Sequence, residues 1–230
     1  MNISGYSDFC AELLQSGFSL GGGNSKGIYS VIPFGWEQQV EDSPIRWHTG
    51  DPLTDPWEWR MRVLEERGDI AYSKVFFNTG GYITAEFYPL FLAVRRHGLR
   101  FEQAYGDGTV SYAAKRIYDV ISTFGCAAMH DLKRETGFAK QEGSRFDSAL
   151  IELQMKMFIT ICGRTQKVNK LGESYGWNST VLTTTEVFWQ RRGVELARVD
   201  ESDAYSRIRD RVLYLNPSAD EKKIAKFIKG

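Results

Sequence analysis

SRFDSALIELQMKMFITICGRTQKVNKLGESYGWNSTVL, residues 144–182, is the stretch on which the fold turns. Ser144 followed by Asp147 has the form of a helix N-cap with a carboxylate in the first turn. Phe146, Leu150, Leu153 and Met157 then recur at the spacing of one helix face. The rhythm changes at Phe158-Ile159-Thr160-Ile161-Cys162, a β-branched run that reads as a strand. From Gly163 to Gly176 the chain is polar and carries Arg164, Lys167 and Lys170, and Trp177 to Leu182 supplies a returning strand. Helix, strand, basic loop and strand together form the second half of a winged helix.

Upstream of this stretch, Ser111 caps a helix whose stripe is Ala113, Ile117, Val120, Ile121 and Phe124, closed by Gly125. A shorter helix from about Ala127 to Glu135 places Met129 and Leu132 inward. Downstream, Thr183 with Glu186 has the form of a capping box. Ala204, Ile208, Val212 and Leu215 mark one further helix, and Ser218 with Glu221 caps the last. The expected fold class is α+β and mostly helical. A winged helix-turn-helix occupies 107–230 together with the C-terminal helices, after a helical, aromatic-rich region at 1–106.

That first region predicts a helix over Ser7 to Gln15 stopped by Gly17, a short strand within Ile28 to Phe34, and a helix capped by Thr84 with a kink at Pro89. Its densest chemistry lies between Trp47 and Arg60: three tryptophans, a histidine and two aspartates in fourteen residues. Asp55, Pro56 and Glu58 match the N-cap, N1 and N3 positions of a helix running to about Arg67. The plain reading is tryptophan as core, Asp55 as cap and His48 as a loop hydrogen-bonder. The functional reading is a pocket walled by Trp47, His48, Trp57 and Trp59, because ligand sites favour aromatic walls with a few polar groups.

Composition excludes several classes. Three widely spaced cysteines form neither a disulfide framework nor a zinc site, consistent with reduced thiols in the cytoplasm. His48, His97 and His130 show no metal-ligand spacing, and Gly21-Gly22-Gly23 with Lys26 does not make a phosphate loop, so neither metal nor cofactor is expected. No apolar run is long enough for a membrane span. The net charge is zero but divided: 11 Lys and Arg against 15 Asp and Glu in 1–125, then 18 against 14 in 126–230. The expected partner is DNA, met by the basic half. Arg145, Lys156, Arg164 and Lys167 with Lys170 would neutralise phosphates, while Gln166 and Asn169 are amides of the type that reads adenine edges. Asp147 and Glu152 lie among those bases and oppose them.

Several blocks carry a resemblance. Trp47-His48-Thr49-Gly50-Asp51-Pro52 with Asp55-Pro56-Trp57-Glu58-Trp59-Arg60 is the most specific. Gly80-Gly81-Tyr82-Ile83, Ala149-Leu150-Ile151-Glu152-Leu153-Gln154 with Tyr175-Gly176-Trp177, and the region from Leu213 to Phe227 accompany it. Together they are similar to bacterial AlkZ-related proteins, distant relatives of the AlkZ-type winged-helix DNA glycosylases. The resemblance implies a DNA-binding protein of repair-related ancestry. The alternative it implies is a hydrolase acting on a damaged base flipped into the tryptophan pocket. AlkZ-type enzymes hold the hydrolytic water with a Gln-x-Gln or Gln-x-Asp pair. Here Gln38 and Gln39 are adjacent rather than alternating, so they and Asp51 stand only as candidate polar groups for that role.

Overall fold

The computed structural model describes residues 3–38, 40–168 and 173–230. Three of the sequence candidates, Gln39, Asn169 and Lys170, lie outside the described residues. The chain forms a mixed α and β fold of two compact units, 1–98 with 194–230, and 99–193. Within each unit the strands pair antiparallel.

The first unit begins with α1 (Tyr6–Ser16), β1 (Phe18–Leu20), α2 (Pro56–Glu66), β2 (Ile70–Phe76), β3 (Thr79–Thr84) and α3 (Tyr88–Arg96). The second holds α4 (Phe101–Gly106), α5 (Tyr112–Phe124), β4 (Ala127–Ala128), α6 (Met129–Glu135), α7 (Gly143–Met155), β5 (Ile159–Val168), β6 (Ser174–Thr184) and α8 (Thr185–Gln190). The chain then returns to the first unit with α9 (Glu201–Leu215) and α10 (Glu221–Lys229).

In the first unit β3 lies between β1 and β2, with Phe18 opposite Ile83 and Tyr72 opposite Tyr82. Phe77 and Asn78 both take positive φ (51° and 62°), the mirror-type turn that matches the twist of a tight hairpin. The core is aromatic. Phe227 of α10 stacks on Phe76 at 4.2 Å and meets Phe18 at 5.2 Å. Trp59 is fully buried beside Phe9 (5.2 Å), with its Nε1 donating to Pro52 O at 3.1 Å. Trp59 is therefore a core side chain, not a pocket wall.

Arg95 fixes the end of the chain. Its buried guanidinium donates to Val75 O (2.7 Å), Phe227 O (2.8 Å) and Ile228 O (3.0 Å). Burial pushes its pKa down, to about 9, yet the group stays charged at neutral pH. The carbonyls of the last turn of α10 are the negative end of a helix dipole and stand in for a counter-ion. This clamp, with Phe227 in the aromatic core, explains why the C-terminal helices pack with the first unit rather than with the residues before them.

In the second unit β6 lies between β5 and β4, with Ala127 opposite Leu182 and Ile161 opposite the same residue. Ile117, Leu132, Leu153, Met157 and Ile159 are fully buried. Ser111 caps α5 as expected, accepting from Ala114 N at 3.1 Å. The same serine donates from N and Oγ to Glu152 of α7, at 2.9 and 2.6 Å. A carboxylate expected to stand among the phosphate-binding bases is therefore occupied in tying two helices together.

Several boundaries differ from the sequence reading. Helix α7 begins at Gly143 after a 3₁₀ turn at Lys140–Glu142, where Glu142 accepts from Ala139 N, so Ser144 is not its cap. Thr84 ends β3 and bonds Gly17 O, and α3 starts at Tyr88, which puts Pro89 in the first turn where proline is tolerated. Residues 28–34 form no strand. Thr184 and Asp220, not Thr183 and Ser218, cap the helices that follow them. Phe124 is 64% exposed, because Gly125 turns the chain before that side chain reaches the core.

Arg95→Met should destabilise the protein by roughly 2–4 kcal/mol, since it leaves three buried carbonyls without donors. A urea unfolding curve measures this, and a midpoint unchanged from wild type would show that the clamp contributes nothing.

Candidate functional site

Two features stand apart from the core. The first is the outer surface of α7 with the β5–β6 hairpin. Along α7, Phe146, Ala149, Leu150 and Leu153 face inward, leaving Arg145, Asp147 and Ser148 exposed. Arg145 pairs with Glu142 at 3.2 Å in the helix start. Lys156 is the C-cap and is half-buried. On the hairpin, Arg164 and Gln166 are exposed, and Arg164 lies opposite Thr180. Register shifts at Ile161/Gly163 and Thr165/Lys167 bend the arm where these side chains leave it.

Lys167 lines a hollow of about 340 Å³ with His130, Lys133, Asn178, Ser179 and Thr180. The Nδ1 atom of His130 is buried there without a hydrogen-bond partner. Sequence reading did not place His130 or Lys133 with the hairpin. The pairing of β4 with β6, two residues long, is what brings α6 alongside it. As a whole, residues 99–193 carry 13 Lys and Arg against 10 Asp and Glu, and the other unit carries 16 against 19. The second unit is the basic one.

The second feature is a pocket of about 340 Å³ in the first unit. Its organiser is Asp55, which is fully buried and accepts from three backbone N–H groups: Trp57 at 2.8 Å, Gly50 at 2.9 Å and His48 at 3.0 Å. One carboxylate thereby caps α2 and closes the preceding loop onto it. The closure holds His48 at φ 60°, a left-handed conformation that costs energy in a non-glycine residue. Its ring sits 4.8 Å from Trp57, 6.1 Å from Trp36 and 6.3 Å from Trp47.

Trp47 packs directly on backbone: a Cβ at Gly22 would stand 2.4 Å from its ring, so only glycine fits. The Nε1 atom of Trp47 is buried and unpartnered. Arg60 lies 3.2 Å over the Trp57 ring and donates from Nε to Trp57 O at 2.7 Å. Burial raises the pKa of the adjacent Tyr72 phenol, and the Arg60 charge pulls it back.

The pocket is lined by Trp47, His48 and Trp57, together with Trp36, Arg60, Lys26 and Glu37. Arg60 was legible in principle, standing three residues after Trp57 on one helix face. Trp36 comes from a loop with no periodic signal. Neither Asp51 nor Gln38 lines this pocket. Asp51 accepts from Thr54 Oγ1 (2.6 Å) and Leu53 N (2.9 Å), bonds that hold its pKa below the usual value and engage it in its own turn. Among the described residues no three or more His, Cys, Asp or Glu are grouped to hold a metal ion, and no helix is long and apolar enough to cross a membrane.

A family model described as AlkZ related matches residues 3–229, nearly the whole chain. The chain belongs to the AlkZ-related family. No curated protein and no solved structure matches it. Within this AlkZ-related chain the most specific block of the resemblance, Trp47 to Arg60, is the segment that Asp55 ties together, and the Ala149–Gln154 block lies on α7, where it supplies the buried Ala149, Leu150, Leu153 and Gln154.

Asp55→Asn removes one of the two carboxylate oxygens that serve three donors. It should cost roughly 1–3 kcal/mol and free His48 from its left-handed conformation. Chemical denaturation followed by tryptophan emission checks both effects. An unaltered native emission maximum would mean that the loop is held by other contacts.

Proposed function

We propose that this AlkZ-related chain binds DNA as a winged helix, with α7 entering the major groove and the β5–β6 hairpin acting as the wing. The observation that carries this reading is the order α5, β4, α6, α7, β5, β6 with β4 paired to β6. That order supplies the three helices and the docked hairpin the motif requires. The placement of Arg164, Gln166 and Lys167 on the arm, and of Arg145 at the start of α7, supports phosphate contact by these two elements. Lys170 and Asn169 extend the same basic segment in sequence. The family match supports a repair-related ancestry.

Binding rather than hydrolysis is the activity the geometry supports best. A hydrolase acting on a flipped base needs an amide or carboxylate that holds water at the base. Gln38 and Asp51 do not line the aromatic pocket, and Glu37, the carboxylate that does, is folded back against Gly35.

Affinity for a DNA duplex should fall steeply with salt, because phosphate neutralisation releases counter-ions. Arg164→Ala with Lys167→Ala should flatten the slope of log K against log salt by about 2. Fluorescence anisotropy across a salt series reads this directly, and salt-independent or absent binding would remove the proposal.

A further inference from the structure

We propose that the pocket closed by Asp55 binds a nucleotide: a flat heteroaromatic ring carrying a phosphate. This goes beyond the DNA-binding reading and rests on the first unit alone. The volume, about 340 Å³, suits a small ligand.

The walls indicate the ring. Trp36 is 68% exposed and Trp57 is 42% exposed, in a unit that buries Trp59 and most of its phenylalanines completely. Indole faces left open beside a cleft are surfaces on which a base stacks. His48 stands beside both rings, in a left-handed backbone conformation with its N–H donated to the buried Asp55 carboxylate. A strained residue lining a cleft is the kind of outlier from which a binding role is inferred.

The charges indicate the phosphate. Arg60 and Lys26 line the pocket, and neither makes an ion pair among the described residues. Arg60 already covers one face of Trp57, so a cationic ligand would meet a guanidinium and an ammonium where it sought an aromatic face. An uncharged sugar could accept hydrogen bonds from both cations but would leave their charge uncompensated. An anion attached to a stacking ring uses all of these groups.

The remaining charged group indicates the edge of the base. Glu37 is the carboxylate on the pocket wall, folded back so closely that a Cβ at Gly35 would lie 2.6 Å from its Oε1. It repels phosphate but accepts from amino and imino N–H groups, which guanine presents as an adjacent pair. Guanine nucleotides should therefore bind more tightly than uracil nucleotides.

The test is titration of the full chain with GMP, AMP, UMP, guanosine, inorganic phosphate and a single-stranded oligonucleotide, followed by tryptophan emission and calorimetry. GMP should quench emission and bind more tightly than guanosine or phosphate alone. Trp36→Ala, which removes an exposed ring, should weaken GMP about tenfold with an unchanged unfolding midpoint. Arg60→Gln with Lys26→Ala should reduce GMP to the affinity of guanosine. Arg164→Ala in the hairpin should leave GMP binding untouched, so that failure here and failure of the DNA reading are separable. Tighter binding of the oligonucleotide than of GMP would assign the same stacked base and phosphate to a strand rather than to a free nucleotide. No response to either at millimolar concentration, or equal affinity for guanosine and GMP, would overturn the proposal.

Discussion

A single buried carboxylate holds the most unusual part of this molecule in place. Asp55 is out of contact with solvent and is neutralised by no cation among its hydrogen-bond partners, which are the backbone N–H groups of His48, Gly50 and Trp57. Burying a charge is costly unless hydrogen bonds replace its hydration. Here three N–H groups do so, one of them at the positive end of α2. Because all three belong to one short segment, the loop and the helix start become a single rigid object. Trp47 and Trp57 are attached to that object, and the geometry of the aromatic pocket follows from it.

The far end of the same unit uses the opposite charge by the same means. Arg95 is a buried cation whose guanidinium donates to three backbone carbonyls. In sequence it reads as a basic residue in the last turn of its own helix, complementing its own dipole. In the structure it serves the C-terminus of α10 instead, a helix more than a hundred residues later. Both devices solvate an ion with backbone dipoles, but Asp55 acts within one short segment while Arg95 joins segments far apart in sequence.

That contrast marks what was legible. The change of period from helical to alternating at Phe158, the Asp55-Pro56 start of α2 and the glycine stops at Gly17 and Gly125 were readable because each depends on residues a few positions apart. The starts of α7 and α3 were misplaced for a local reason as well: Ser144 and Thr84 have the side chains of caps, but a preceding 3₁₀ turn puts Ser144 already inside α7, and Thr84 ends a strand. Trp59 and Trp57, two residues apart with the same chemistry, were separable only by knowing which face of α2 meets α1 and the sheet. Trp36, Lys26 and Glu37 join the pocket through loops, where no periodicity exists to announce them. For the basic surface, the sequence supplied Arg164 and Lys167, but only strand pairing brings His130 and Lys133 beside them.

The two candidate sites rest on different physics. The hairpin offers exposed cations on flexible stems, whose attraction for phosphate is long-ranged and screened by salt within about 10 Å at moderate ionic strength. The pocket offers aromatic faces held by a buried carboxylate, whose attraction is short-ranged and little affected by salt. A surface of the first kind captures any polyanion and discriminates poorly. A pocket of the second kind discriminates through shape and stacking, and it can do so only if its walls stay in place without the ligand. The buried Asp55 network meets that requirement: the cost of ordering the loop is met during folding, so ligand binding does not have to supply it.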